Sequence, residues 1–562
     1  MVMPWLAALA IVAGPQARAS VEARLAPDLP PLAAPGVPGL AESVPDADRV
    51  DPALRLEPER PFRWVISPGE TFTVRLHAPA ASGTRVVLTA WDWDLRPVWR
   101  HEAATPAEAD VRFRSEGRGT YLLTLDAFDA GGEFRARLAR SFAVFPPNDA
   151  LRGRWRESGF RIGSCSFPGR QHWRNDYGTG APAGMTEQQA RELDAELAAR
   201  MGIDLIRIDL PIEWPAEDAP IGFERADACV ETLVRRGFQI VLQLVPAPDW
   251  AVLPAYAGRT DPLWRYPRRE GPVRRLASEA ARRYGRHAAF IQVYNEPDNH
   301  DFWRGTPAEY ADYLRWNVEE LREAAPGVPI ANGGYTLLNP EAMGLIARAA
   351  APLTQIVAYH LHGSIARLPD VFAAVRAAVA AAGGPENPRW MNTETGYAAW
   401  RLDRERHQAA TAVQKLLWCW SRGHEVALLY CTRDVGGPRQ RPADPDWGFV
   451  DHYFCPRFAY GAVAALIDRL AGARFDATIM EAWHVHAYAF RTASGRTVAV
   501  FVPEDRETEV EVVSDARAAR VVDPMGNATP APDPTRVRLR AGYYPRFVEL
   551  DGATTAAVEA RR

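Results

Sequence analysis

Two glutamates stand where an apolar run stops. Glu296 lies in Phe290-Ile-Gln-Val-Tyr-Asn-Glu-Pro297, and Glu394 lies in Arg389-Trp-Met-Asn-Thr-Glu-Thr-Gly396. Both runs read as short strands ending at the acid, and the acids are 394 − 296 = 98 residues apart. Two carboxyl groups delivered to strand ends can cleave a glycosidic bond: one protonates the departing oxygen, and the other attacks or stabilises the cation-like sugar. One glutamate at a strand end is ordinarily an isolated surface acid. Two at equivalent ends weaken that reading.

The elements that must position them are legible. From about Arg161 to Leu470, strand-like and helix-like runs alternate, which implies parallel strands with crossover helices. Eight strands fall near 160–165, 203–209, 238–245, 290–295, 328–332, 355–362, 389–394 and 425–431. Thr186-Glu-Gln-Gln189 and Thr306-Pro-Ala-Glu309 are capping boxes, the second with Pro in the first turn. Gly237, after Arg235 and Arg236, is a helix stop. The pattern predicts an α/β fold, a (β/α)8 TIM barrel over 155–470. A doubly wound open sheet is the alternative, but no glycine-rich phosphate loop follows the first strand. In the barrel Glu296 ends strand four and Glu394 ends strand seven, so both reach one pocket at the carboxyl ends of the strands.

The flanks differ in texture. Residues 1–19 carry a short apolar run and Ala17-Arg18-Ala19, which predicts a signal peptide and a secreted or periplasmic protein, although no basic residue precedes the run. The run is too short to persist as a spanning helix, and no stable membrane insertion is expected. Residues 20–60 read as a Pro/Ala-rich linker. Over 61–148, the runs Thr71–His77, Arg85–Trp91, Ala109–Arg114 and Thr120–Leu125 predict a β-sandwich, with a hairpin turn at Asp129–Gly132. A structural cap is the simpler role for it, a carbohydrate-binding module the other. Over 471–552, Val485–Phe490, Thr497–Val502, Glu509–Val513 and Tyr544–Leu550 predict a second β-sandwich packed on the barrel's flank.

Composition narrows the function. The chain of 562 residues is 47% hydrophobic and 24% charged, as expected of well-cored domains, and its net charge of −4 offers no field for nucleic acid. Lys415 is the only lysine. The five cysteines form no CxxC pair, which argues against structural zinc. Cys165 and Cys431 end strands one and eight, neighbours in a closed barrel, and could bridge. Two small buried thiols are the simpler reading. Oligomeric state leaves no signal.

Asn295-Glu296-Pro297 after strand four, with a glutamate closing strand seven, resembles the clan A retaining glycoside hydrolases. Gly448-Phe-Val-Asp451, then Pro456-Arg-Phe-Ala-Tyr460 and the β-rich tail, resembles glycoside hydrolase family 39 and its relatives. The resemblance implies double displacement on a β-linked glycoside or polysaccharide without a cofactor, with Glu296 as acid/base and Glu394 as nucleophile. It implies that Asn295 bonds the sugar's 2-hydroxyl and that Trp447 is a sugar platform. An inward Arg207 would partner Glu394, with an ordinary structural ion pair as an equal alternative. Such chemistry needs carboxyl groups roughly 5–5.5 Å apart, one ionised and one protonated. Repulsion in a partly dry cleft is expected to raise the acid, and hydrogen bonds to keep the nucleophile ionised.

His360 and His362 share one face of strand six by the period of two. A His-x-His pair invites a metal, but hydrogen bonding near the nucleophile is the favoured role, and no metal is assigned. Asp434 could bind substrate or anchor a loop. Trp173, Trp214, Trp250, Trp264, Trp303, Trp400 and Trp447 fall in the expected upper loops, with Asp209, Glu213, Asp249, Asp298 and Asn299 as polar rims. Singly each Trp is more often packing; together they suit a carbohydrate cleft. Two other readings stand: a catalytically silent carbohydrate-binding barrel, and a metal-dependent hydrolase using His360 and His362.

Overall fold

The computed structural model describes residues 19–25, 53–166, 181–399, 401–434, 447–482, 484–504 and 506–560. The chain forms two compact units, residues 1–146 and 147–562.

The first unit holds two sheets. One has the order Ala19–Leu25, Ala107–Ser115, Thr71–Ala78, Arg55–Pro58; the other runs Val65–Ile66, Phe134–Val144, Gly119–Phe128, Arg85–Trp91, Pro97–Ala104. Alternation along Thr71–Ala78 buries Phe72, Val74 and Leu76. The ring of Phe72 stacks on Phe142 at 4.7 Å, and Phe113 meets Phe142 at 5.2 Å. Two strands lie within the stretch whose composition reads as a linker. Ala19–Leu25 pairs in parallel with Ala109–Ser115, and Arg55–Pro58 pairs with Val74–His77. As edge strands they need backbone bonds on one side and only a few apolar anchors such as Ala23, Leu25 and Leu56, so little periodicity marks them. Residues 26–52, and 1–18 of the expected leader 1–19, lie outside the described residues.

In the second unit eight parallel strands close into a barrel. They are β1 (Arg161–Cys165), β2 (Leu205–Asp209), β3 (Gln239–Leu244), β4 (Ala288–Val293), β5 (Ile330–Ala331), β6 (Ile356–His362), β7 (Arg389–Gly396) and β8 (Val426–Leu429). Each is followed by a helix: α1 (Glu187–Met201), α2 (Glu224–Arg235), α3 (Glu270–Tyr284), α4 (Pro307–Ala324), α5 (Pro340–Ala350), α6 (Leu368–Ala381), α7 (Glu405–Ser421) and α8 (Phe458–Leu470). Both capping boxes form: Gln189 N donates to Thr186 Oγ1 and Glu309 N donates to Thr306 Oγ1, each at 3.2 Å. Gly237 closes α2 at φ +77°, which only glycine adopts freely. β5 is two residues long, and Asn332 extends it with its side chain, accepting from Ala358 N (2.6 Å) and donating to Ala358 O (3.1 Å).

Cys165, Leu205, Val241, Phe290, Ile356, Met391 and Leu428 fill the barrel's interior. Among the described residues no disulfide joins the cysteines. Cys165 Sγ faces Thr393 O and Cys431 Sγ donates to Arg433 O, so the bridge between them is not made and the buried-thiol reading stands.

The C-terminal sandwich packs a six-stranded sheet on a three-stranded one around Val485, Val498, Val510 and Val537. It rests on α7, where Trp420 meets Phe490 at 4.7 Å and Thr411 Oγ1 lies 2.6 Å from the Tyr543 hydroxyl, and on α8, where Arg469 Nη1 donates to Glu549 Oε1 at 2.6 Å. Its last strand, Ala556–Ala560, runs past position 552. Among the described residues no helix is long and apolar enough to cross a membrane.

Candidate active site

Above the apolar filling the barrel turns polar. Arg207 on β2, Gln243 on β3, Gln292 on β4 and His360 on β6 are buried side chains. Gln292 Nε2 donates to Gln243 Oε1 at 3.2 Å and lies 3.3 Å from Gly333 O. Glu296 and Glu394 enter above this layer, and neither arrives by regular alternation.

On β7, Met391 faces the apolar interior, so a period of two turns Thr393 inward and Glu394 outward. The pairing with β6 slips instead. Tyr359 stands opposite Asn392 and His360 opposite Glu394, which leaves Thr393 as an extra residue. This bulge turns both side chains into the cleft. Thr393 Oγ1 lies 3.1 Å from His360 Nε2, and the Glu394 carboxylate meets Arg207.

At the end of β4 the backbone enters the left-handed region twice, at Tyr294 (φ +73°) and Glu296 (φ +47°). Each such residue costs about 1–2 kcal/mol, and packing must compensate. Glu296 N donates to Gly333 O at 2.8 Å, and Asn299 Nδ2 donates to Glu296 Oε2 at 2.9 Å. The carboxyl group is buried but open to the same cleft as Glu394. A ligand atom of each carboxylate, together with one of His362, lies within 4.8 Å of the others.

The charges around the two acids differ. Glu394 Oε2 accepts from Arg207 Nη2, and its Oε1 lies 3.0 Å from His362 Nε2. Burial alone raises this carboxyl, but the Arg207 charge and the hydrogen bond with His362 outweigh burial and hold it well below the usual carboxylate range. Glu296 Oε1 lies 2.9 Å from His360 Nδ1. His360 Nε2 faces two donors, Arg207 Nη1 at 3.4 Å and the Thr393 hydroxyl at 3.1 Å. A nitrogen facing a guanidinium accepts, so the imidazole proton belongs on Nδ1, where it donates to Glu296. Gly334 (φ +80°) makes room for this ring, because a Cβ there would lie 2.2 Å from His360 Nε2.

These bonds separate the His-x-His pair. His360 serves Glu296, and His362 serves Glu394. With Nδ1 on a carboxylate and Nε2 beside a permanent cation, His360 offers no lone pair to a metal, which disfavours the two-histidine metal reading.

Asn295 is buried beside Glu296, and among the described residues its Oδ1 has no hydrogen-bond partner. Trp447 meets His362 edge-on at 4.6 Å and Tyr430 at 5.8 Å. Gly396 allows that convergence: a Cβ there would lie 2.6 Å from Tyr430 O and 3.0 Å from the Trp447 ring. Trp250 is turned to other work. Its Nε1 donates to Trp214 O at 2.8 Å, its ring meets Trp214 at 4.8 Å, and Arg269 lies over it. Trp303 is packed against Tyr294 at 5.3 Å, and Trp264 lies against Phe302 at 5.9 Å. Trp173 and Trp400 lie outside the described residues. Asp434 anchors a loop, accepting from Gly448 N at 2.7 Å and from both terminal nitrogens of Arg457 at 2.7 and 2.6 Å. Thr393, Gly334 and the turn at Tyr294 escaped the sequence reading. A glycine pair after strand five was the one visible signal among them.

No protein-family model matches the sequence, and no curated protein matches it. Solved structures do resemble the fold. A family 39 glycoside hydrolase from the gut symbiont Bacteroides cellulosilyticus WH2 matches with a TM-score of 0.64 at 15% identity, over 88% of this chain and 100% of that one. A family 51 arabinofuranosidase from Xanthomonas axonopodis pv. citri matches with a TM-score of 0.44 at 10% identity, over 72% and 96%. The chain therefore shares the fold of a family 39 glycoside hydrolase, a TIM barrel with flanking β-domains.

Proposed function

We propose that this protein is a retaining glycoside hydrolase that cleaves a β-linked glycoside by double displacement. The observation that carries the reading is the pair of carboxylates at the ends of β4 and β7, with oxygens within 4.8 Å and different electrostatic surroundings. An approach of one oxygen of each carboxylate to within 4.8 Å is compatible with the roughly 5–5.5 Å carboxyl separation of a retaining pair.

Glu394, kept ionised by Arg207, attacks the anomeric carbon. Glu296 delivers its proton to the leaving oxygen and the bond to the aglycone breaks. The glycosyl ester on Glu394 is then hydrolysed by a water that returns its proton to Glu296. Asn295 Oδ1 is available to accept from a sugar hydroxyl, and the exposed part of Trp447 offers an apolar surface to the ring's C–H groups. The leader-like residues 1–19 favour export, which suits an enzyme acting on polymers outside the cell.

Hydrolysis of a panel of aryl β-glycosides and β-linked polysaccharides tests the reading, with Glu296→Gln and Glu394→Gln beside the wild type. Turnover should fall at least about a thousandfold in Glu394→Gln. Turnover within a few-fold of wild type in both variants would refute it. Sugar binding measured calorimetrically without hydrolysis would favour the silent carbohydrate-binding barrel instead.

A further inference from the structure

Glu296 is held in a left-handed backbone conformation that its own side chain does not explain. What surrounds it is fixed on both sides. Two residues earlier, Tyr294 is also left-handed and fully buried. Its hydroxyl donates to Phe302 O at 2.6 Å, with Trp264 O a second acceptor at 3.2 Å. Its ring meets Trp303 at 5.3 Å and Tyr313 on α4 at 5.5 Å, both edge-on. Two residues later, the buried Asp298 carboxylate accepts from Thr336 N (3.0 Å), Leu337 N (2.9 Å) and Thr336 Oγ1 (3.2 Å) in the loop after β5.

The segment from Tyr294 to Asp298 is thus bolted to three loops, and Glu296 is the residue in the middle. Without the phenol's bond to Phe302 O, Tyr294 loses one of the contacts that hold its ring against Trp303 and Tyr313. The strand would relax toward ordinary extended backbone, and the Glu296 carboxyl would move with it. An acid displaced by about 1 Å loses its alignment with the departing oxygen.

We propose that Tyr294 is a positioning residue for the acid/base: its hydroxyl, bonded to Phe302 O, fixes the backbone turn that aims Glu296 at the glycosidic oxygen. Asp298 braces the same turn from the other side. Tyr294 touches neither the sugar nor the reacting atoms. The inference rests on the glycosidase reading and adds to it which groups aim the proton.

The test is the leaving-group dependence of kcat/KM in Tyr294→Phe, Asp298→Asn and wild type, with thermal unfolding measured for each. Dinitrophenolate departs without a proton, whereas phenolate and alkoxide need one. Removing a well-placed general acid forfeits about 100- to 10,000-fold, so misplacing it should lose about tenfold on phenyl and alkyl glycosides. The dinitrophenyl glycoside should change less than twofold, giving a steeper dependence on leaving-group basicity. A uniform loss across the series, or no loss in a folded variant, overturns the proposal. If Tyr294→Phe does not fold, Asp298→Asn decides by the same slope. Absence of turnover by wild type across the whole series would instead overturn the glycosidase reading, and this inference with it.

Discussion

Arg207 and Glu394 meet inside the barrel as an ion pair, Nη2 on Oε2, with 3% and 9% of their side chains exposed. Arg207 also donates to Thr393 O at 3.2 Å, the carbonyl of the bulge that turns Glu394 inward. One guanidinium thus supports both the geometry of the nucleophile and its charge.

Replacing it should separate those effects in the pH profile. The Glu394 pKa is depressed in the folded protein, so the pair contributes stability above the unfolded carboxylate's pKa, lost as pH falls through the folded value. In wild type Glu394 is ionised over the whole working range. In Arg207→Met burial is left less opposed, and the acid limb of kcat/KM should move to higher pH. Stability at neutral pH should fall by about 3–5 kcal/mol, the usual result of leaving a buried charge unpaired. Urea unfolding and a pH–rate profile read the two.

Lys415 shows the same sign of pH dependence for a different reason. On α7 its ammonium is completely buried, donating to Leu361 O at 3.0 Å and Gly396 O at 3.1 Å, and burial pulls its pKa down to about 7. The unfolded chain, with an ordinary lysine near 10.4, binds the extra proton between those values. Folding stability should therefore rise as pH climbs from about 7 toward 10, by up to several kcal/mol. Both carbonyls keep another donor, the Thr395 hydroxyl at 2.8 Å and Gly363 N at 2.9 Å. Lys415→Met should thus fold, and its urea midpoint should rise less with pH than that of wild type.

Asp434→Ala removes the acceptor of Gly448 N and of two Arg457 nitrogens. Arg457 keeps Glu405 at 3.4 Å, so the loss should be about 3 kcal/mol rather than complete unfolding. Because Trp447 precedes Gly448, KM should rise more than kcat falls; steady-state kinetics and a thermal melt check both.

The barrel was legible because its strands are apolar runs between capped helices, with signals such as Thr306 and Gly237 at the joints. The outer strands of the sandwiches were less so. Pro97–Ala104 and Arg474–Ala482 are largely half-exposed or exposed, and carry charges where alternation would show apolar residues. In the site, the residue types were readable but their aim was not. Alternation from Met391 turns Glu394 outward, and only the bulge at Thr393 reverses it. Likewise nothing local announces that Tyr294 and Glu296 adopt positive φ, since Trp264, Tyr313 and Gly333, which hold the turn, come from other segments. The pairing of His360 with Glu296 and His362 with Glu394 is a property of the closed barrel.

The most direct test of the double displacement follows the anomer released from an aryl β-glycoside by proton NMR, in wild type and in Glu394→Gln. Wild type should release the β-anomer first, with the α-anomer growing only by mutarotation, and the variant should release neither at a comparable rate. The α-anomer as first product, or turnover by Glu394→Gln within a few-fold of wild type, would contradict Glu394 as the nucleophile.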